Sequence, residues 1–178
     1  MEKPYAHLYH CNEVEKCKKF VEDKSQMINS VEDGIWLGNG MYFWDNISNA
    51  QYWKSIKIKK DGKNSYCIIK AGIYLDKVLD LTDIEISRKM GKIWDAYIKK
   101  CGCYKRNEEL GKKLNILFDY CLNTQYNVIK IYAKYNSTPY NNLWKFNFET
   151  KKVEPISNVK CIYSVKNDEP INEVEFVK

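Results

Sequence analysis

The sequence lacks a long apolar run. No stretch approaches the roughly 20 residues that a bilayer-spanning helix needs, and the start, Met1-Glu2-Lys3-Pro4, carries no apolar signal core. The expectation is a cytoplasmic protein, with no membrane partner and no export by that route. Proline is scarce, at four residues, and no Pro/Gly/Ser-rich stretch marks a linker. Repeats at solenoid periods are also missing. One domain over residues 1–178 is therefore predicted. Histidine occurs twice, and no C-x-x-C pair exists. Cys101-Gly102-Cys103, Cys121 and His10 fit no common ligand spacing, so no metal is expected. Seven cysteines leave at least one thiol unpaired, and reduced thiols are the simpler reading.

What is present argues for a packed core. Hydrophobic residues make up 44% of the chain, which excludes a disordered polypeptide. Aromatics reach 14%, with 14 Tyr and 5 Trp, and their faces suit flat ligands as well as core packing. The net charge of +6 comes from 29 Lys+Arg against 23 Asp+Glu. That balance fits a solvated lysine surface. It also fits attraction to nucleic acid phosphates, but no basic run is long enough to carry that reading alone.

Periodicity supplies the elements. Tyr5 to His10 alternates as a short strand. Asn12 to Asp23 predicts a helix, with Asn12 as N-cap and Val14, Cys17, Phe20 and Val21 as the apolar stripe. Ser25 to Gly34 is polar and predicts loop, and Asn46 to Lys54 predicts a helix with Ile47, Ala50 and Trp53 inward. Asp61 to Asn64 is a turn signal. Tyr66 to Leu75 predicts a strand buried on both faces, and Val78 to Leu81 a second short one. Helices are expected over Ile84–Ile98 and Glu108–Leu122. Strands are expected over Tyr126–Tyr132, Val159–Val165 and Val174–Val177, with partial alternation over Leu143–Phe148. Strands at both ends with helices between predict an α+β domain.

One segment carries more than structure. Trp36-Leu37-Gly38-Asn39-Gly40-Met41-Tyr42-Phe43-Trp44-Asp45, followed by Asn49-Ala50-Gln51-Tyr52-Trp53 and preceded by Leu8-Tyr9-His10, resembles the NAD-binding half of poly(ADP-ribose) polymerase-like and diphtheria-toxin-like ADP-ribosyltransferases. More narrowly, the chain resembles small bacterial and phage members with an L-Y-H-G-T start, a W-L-G-x-G-I-Y-F-W element and a later D-L-T-D stretch, matched here by Asp80-Leu81-Thr82-Asp83. The resemblance implies an α+β split-sheet fold with an NAD cleft and flanking helices. It implies mono-ADP-ribosyl transfer from NAD to a macromolecule, nucleic acid ahead of protein, in a toxin or anti-phage effector. An antitoxin-like inhibitor is then a candidate partner.

The same resemblance assigns roles. His10 would hydrogen-bond a ribose hydroxyl, and Tyr42 would stack on the nicotinamide ring. Gly38 and Gly40 would let the backbone pass close to the ligand. Tyr9, Cys11, Phe43 and Asn49 belong to the same motifs, and Tyr52 is placed as a second aromatic wall. Lys130 would contact the pyrophosphate or the acceptor. The family has glycine after its histidine, where this chain has Cys11. The family's late-strand glutamate or glutamine would fall near Cys161 or Ile162, and neither is a carboxylate. Glu154 and Glu173 are the substitute catalytic carboxylates considered first, with Glu149 and Glu175 beside them. Two rival readings remain open. One is a catalytically silent NAD- or nucleotide-binding module. The other is a partner-binding protein using Tyr52, Trp53 and Trp144.

Overall fold

The computed structural model describes residues 3–31, 34–62, 65–102, 107–135 and 158–177. The protein is α+β, built on one mixed seven-stranded sheet. The strands are β1 (Tyr5–Glu13), β2 (Met41–Trp44), β3 (Tyr66–Tyr74), β4 (Val78–Asp80), β5 (Val128–Lys134), β6 (Val159–Val165) and β7 (Ile171–Phe176). Their order across the sheet is β4-β5-β6-β2-β1-β3-β7. β4 and β5 run parallel, and every other neighbour pair is antiparallel. Helices α1 (Val14–Glu22), α2 (Ile47–Asp61), α3 (Ile84–Cys101) and α4 (Leu110–Leu117) pack around it, and α4 runs on into a π-helical turn over Phe118–Leu122.

Alternation along the strands divides the core. Leu8, Met41, Phe43, Ile69, Ala71 and Val165 meet Cys17 and Phe20 of α1 on one face. On the other face, Leu79, Ile129 and Ile162 meet Trp94 of α3 and Leu114 and Leu117 of α4. A smaller cluster joins Cys11, Tyr66 and Ile68 to Ala50 of α2. Two groups of helices therefore cover the second face, and Tyr42 and Trp44 lie between them.

Strand pairing overrides one predicted boundary. β1 continues through Asn12 and Glu13, because its register with β3 runs from Tyr5↔Tyr74 to Glu13↔Tyr66. Asn12 is thus a strand residue, and Glu13 precedes α1 without a side-chain cap. The Asn12 side chain is used elsewhere, as described below. Asn46 does cap α2, accepting from the Asn49 backbone N–H at 3.0 Å. Asp83 caps α3 by accepting from the backbone N–H groups of Glu85 and Ile86. α2 extends seven residues past the expected Lys54, to Asp61, and Gly62 caps it in left-handed conformation (φ +66°). Leu143–Phe148, Glu149, Glu154, Trp144 and Cys103 lie outside the described residues.

Among the described residues no helix is long and apolar enough to cross a membrane. Among them, too, Cys11, Cys17, Cys67, Cys101, Cys121 and Cys161 form no disulfide, and no group of three or more His, Cys, Asp or Glu is placed to hold a metal ion.

Candidate functional site

The sheet is weakest at its middle. β1 and β2 share a single register pair, Tyr9↔Trp44. Beyond it β1 stays with β3 while β2 stays with β6. The two strands therefore fork, and a cleft of about 470 Å³ occupies the fork. His10 and Tyr42 both line it.

His10 ties the fork together. Its Nδ1 lies 2.6 Å from the Tyr42 carbonyl oxygen. A carbonyl only accepts, so Nδ1 carries the proton and Nε2 presents a lone pair. The Asn12 amide lies 3.3 Å from that Nε2. Its orientation is fixed independently, because Asn12 Oδ1 accepts from the Glu13 backbone N–H at 2.9 Å. The ring is 6% exposed. Burial lowers its pKa to about 4, opposed by the Tyr42 carbonyl bond and reinforced by the Lys57 charge. His10 is therefore a neutral acceptor at physiological pH, aimed by two neighbours.

Tyr42 is locked by its hydroxyl. The oxygen accepts from the Leu37 backbone N–H at 2.9 Å and donates to the Gly38 carbonyl at 2.7 Å. The same loop is held from below. Asn115 of α4 accepts from the Asn39 backbone N–H at 2.7 Å, and Lys166 donates to the Leu37 carbonyl at 2.7 Å. This loop holds Trp36 at the cleft, stacked on Tyr135 with ring centroids 6.5 Å apart. Gly38 and Gly40 have φ of +74° and +147°, so glycine serves the loop's own geometry there.

The rest of the lining is aromatic and cationic. Trp44 and Trp53 sit 6.0 Å apart, with Tyr66 nearby. Lys57 lies 5.8 Å from the Trp53 ring centroid. Lys16 pairs with Glu13 at 3.1 Å. Glu13 is the carboxylate lining the cleft among the described residues. Cys11 also lines it, but burial pushes its thiol up to about 11, so it is no thiolate nucleophile near neutrality.

Other expected site residues fall elsewhere. Phe43 is fully buried in the core, its ring 5.6 Å from that of His10. Tyr9 packs beside the Cys11–Ala50 cluster. Asn49 serves the start of α2, donating to Asp45 at 3.4 Å. Tyr52 points to solvent, and its neighbour Trp53 reaches the cleft instead. Lys130 lies on β5, with β6 and β2 between it and the fork, and its ammonium is bound to Asp80 at 2.7 Å. Burial would raise the Asp80 carboxyl, but Lys130 and Thr82 hold it below its ordinary value.

Glu173 and Glu175 lie on β7, with β3 and β1 between them and the fork. Glu173 accepts from the Tyr5 hydroxyl at 2.8 Å and lies 3.3 Å from His7 Nε2, while Glu175 pairs with Lys70. Glu173→Gln is accordingly expected to leave any NAD turnover within about twofold of wild type, since surface pairs contribute little. A loss above tenfold in initial rate would return Glu173 to the catalytic set. On β6, Ile162 does line the cleft, so the late-strand position presents an apolar side chain.

Sequence reasoning passed over Lys57, Lys16, Asn12 and Tyr135. A signal existed for one: Trp53 and Lys57 stand four apart on α2 and so share a helix face. Asn12 was hidden by its plausibility as a cap.

Fold and site together define an α+β protein with an aromatic, lysine-flanked cleft at a forked mixed sheet, closed by a neutral histidine. No family model matches the chain, and no solved structure matches it. Over 82 residues it is 33% identical to an uncharacterized protein of Methanocaldococcus jannaschii, a stretch covering 44% of this chain and 38% of that protein. The chain thus matches little more than a third of that relative's length.

Proposed function

We propose that the chain binds NAD in the forked cleft and transfers ADP-ribose from it to a macromolecular acceptor, as an ADP-ribosyltransferase-like protein. One observation carries the reading. His10 and Tyr42, 32 residues apart in sequence, converge in a single cleft through a 2.6 Å bond. The His10 Nε2 lone pair suits a ribose hydroxyl donor, which would take the place of the Asn12 amide. Flat aromatic walls suit nicotinamide and adenine, and Lys16 and Lys57 suit the pyrophosphate. In the reaction, the bond from the ribose anomeric carbon to the nicotinamide nitrogen breaks. Its electron pair stays on the departing neutral nicotinamide. The acceptor atom bonds that carbon and gives up its proton. Positive charge grows on the ribose in between, and the cleft's share is to hold the dinucleotide still while this happens.

The test is incubation of the protein with NAD labelled in its adenylate and with a cell lysate. Label in a macromolecular fraction, lost on nuclease treatment, supports transfer to nucleic acid; loss on protease treatment assigns protein. The absence of both label and NAD consumption removes the transferase reading. The apolar Ile162 on β6 favours a second reading, a silent NAD-binding module. Calorimetric NAD binding with no nicotinamide released would select it.

A further inference from the structure

Helix α2 has a composition that packing does not explain. It rests on the sheet through Ala50, the buried residue of its span. Meanwhile Tyr52 is 48% exposed and Trp53 37% exposed. Lys54, Lys57, Lys59 and Lys60 follow, and Asp61 is the one acid of the helix. Among the described residues, none of these four lysines is ion-paired. An amphipathic helix would have turned its two largest rings inward. Here Tyr52 stands in water beside unneutralised charge, while Trp53, 37% exposed, lies at the rim of the cleft with Lys57 over its ring. Trp53 in turn reaches Trp44 inside the cleft. A path of rings therefore leads from the outer surface of α2 to the fork.

Charge and ring chemistry together select the occupant. Lysines without acidic partners ask for a polyanion, and exposed rings ask for flat partners. We propose that the outer face of α2 docks single-stranded nucleic acid, with bases stacking on Tyr52 and Trp53 and phosphates held by Lys54, Lys59 and Lys60. A duplex is a poorer fit, because its base faces are already stacked on each other. The surface delivers a base along the ring path towards the cleft. This deepens the transferase reading by naming the acceptor class and its way in. It rests on that reading only for the strand's fate, because docking needs no NAD.

The experiment is fluorescence anisotropy of a labelled 12-nucleotide single-stranded oligonucleotide with the full chain, without NAD. DNA and RNA versions are used, and the matched duplex, heparin and phosphatidylserine vesicles serve as competitors. Expected are binding that weakens with salt, quenching of tryptophan emission, and weaker competition by the duplex than by the unlabelled strand. Tyr52→Ala and Trp53→Ala should each weaken binding about tenfold, the scale of one lost base stack. Lys60→Glu should also flatten the salt dependence by about one phosphate contact. Both rings are exposed, so far-ultraviolet circular dichroism should match wild type. No binding overturns the proposal. So does binding indifferent to both ring substitutions, equal competition by heparin, or ring-dependent attachment to the vesicles. Failure here with NAD turnover intact leaves the transferase reading standing, and success without turnover leaves docking standing alone.

Discussion

Gly40→Ala is expected to destabilise the protein by about 4 kcal/mol, combining strain at a glycine-only backbone position with an overpacked contact. At φ +147°, an added Cβ would stand 2.6 Å from Ser164 Oγ and 2.7 Å from the Val165 carbonyl oxygen. The first of these is fully buried, and the second belongs to β6, paired on both sides by β2 and β5. Neither can step aside without moving a central strand. Gly40 also exchanges backbone hydrogen bonds with Ser30, at 2.9 and 3.1 Å. The comparison that isolates the steric part is Gly62→Ala. Gly62 also has positive φ, +66°, yet its added Cβ would meet nothing within 4 Å. That change is expected to cost about 1 kcal/mol, the ordinary penalty for alanine at a helix-ending left-handed position. Urea titrations followed by circular dichroism measure both. Equal midpoints for the two variants would show that the β2–β6 contact yields easily.

A typical domain of this size has only about 5–15 kcal/mol of stability in total. A loss of about 4 kcal/mol would therefore spread beyond the mutated turn. The loop from Gly34 to Gly40 holds Trp36 against Tyr135, so the NAD binding proposed for the cleft should weaken even where the fold survives. The two glycines read in the sequence as room for a ligand thus have a prior structural duty. They let the loop fold down against Asn115 and Ser164.

How far the sequence was legible depends on what sets each feature. β3, β6 and the starts of α2 and α3 follow from local pattern and side-chain chemistry, and local pattern is visible in one dimension. The extension of β1 through Glu13 is not, because it depends on the register with Tyr66. Asn12 shows the consequence. Its type suits a cap, but pairing with β3 claims its backbone, and its amide is then free to orient His10. The outward turn of Tyr52 follows from helix phase. A 100° step per residue separates it from Trp53, the inward residue of the helix pattern and the ring that lines the cleft. Lys130 stands away from the fork for a different reason. Its partner, Asp80, comes from the parallel strand β4, 50 residues away, and nothing in the local sequence shows that pairing. The cleft itself arises from where hydrogen bonding stops between β1 and β2. Residue types do not record that.

Stability is expected to fall by roughly 3 kcal/mol as pH drops from 6.5 to 4, on account of His10. Unfolded, the imidazole takes up its proton near 6.5; folded, burial holds protonation off until about 4. Between those values unfolding consumes a proton, so acid favours the unfolded chain, and the loss is complete once pH reaches the folded value. Carboxylates held low by partners act in the same direction but in a lower window. Glu173 and Asp80 start from ordinary values of 4.5 and 3.8, so their losses begin where that of the histidine ends. The range from about 6.5 to 5 therefore belongs to the imidazole. His10→Gln cannot titrate there, and its urea midpoint should be nearly flat over that range while that of wild type falls. Parallel slopes for the two proteins would mean that the ring is hydrated when folded. The proposed NAD binding would separate the two roles of the ring. Nε2 keeps its lone pair in the folded protein until about pH 4, so His10 should impose no loss of affinity from pH 8 to 5, although stability is already falling. A neutral acceptor that stays neutral at the expense of acid stability is what a buried grip on a sugar hydroxyl requires.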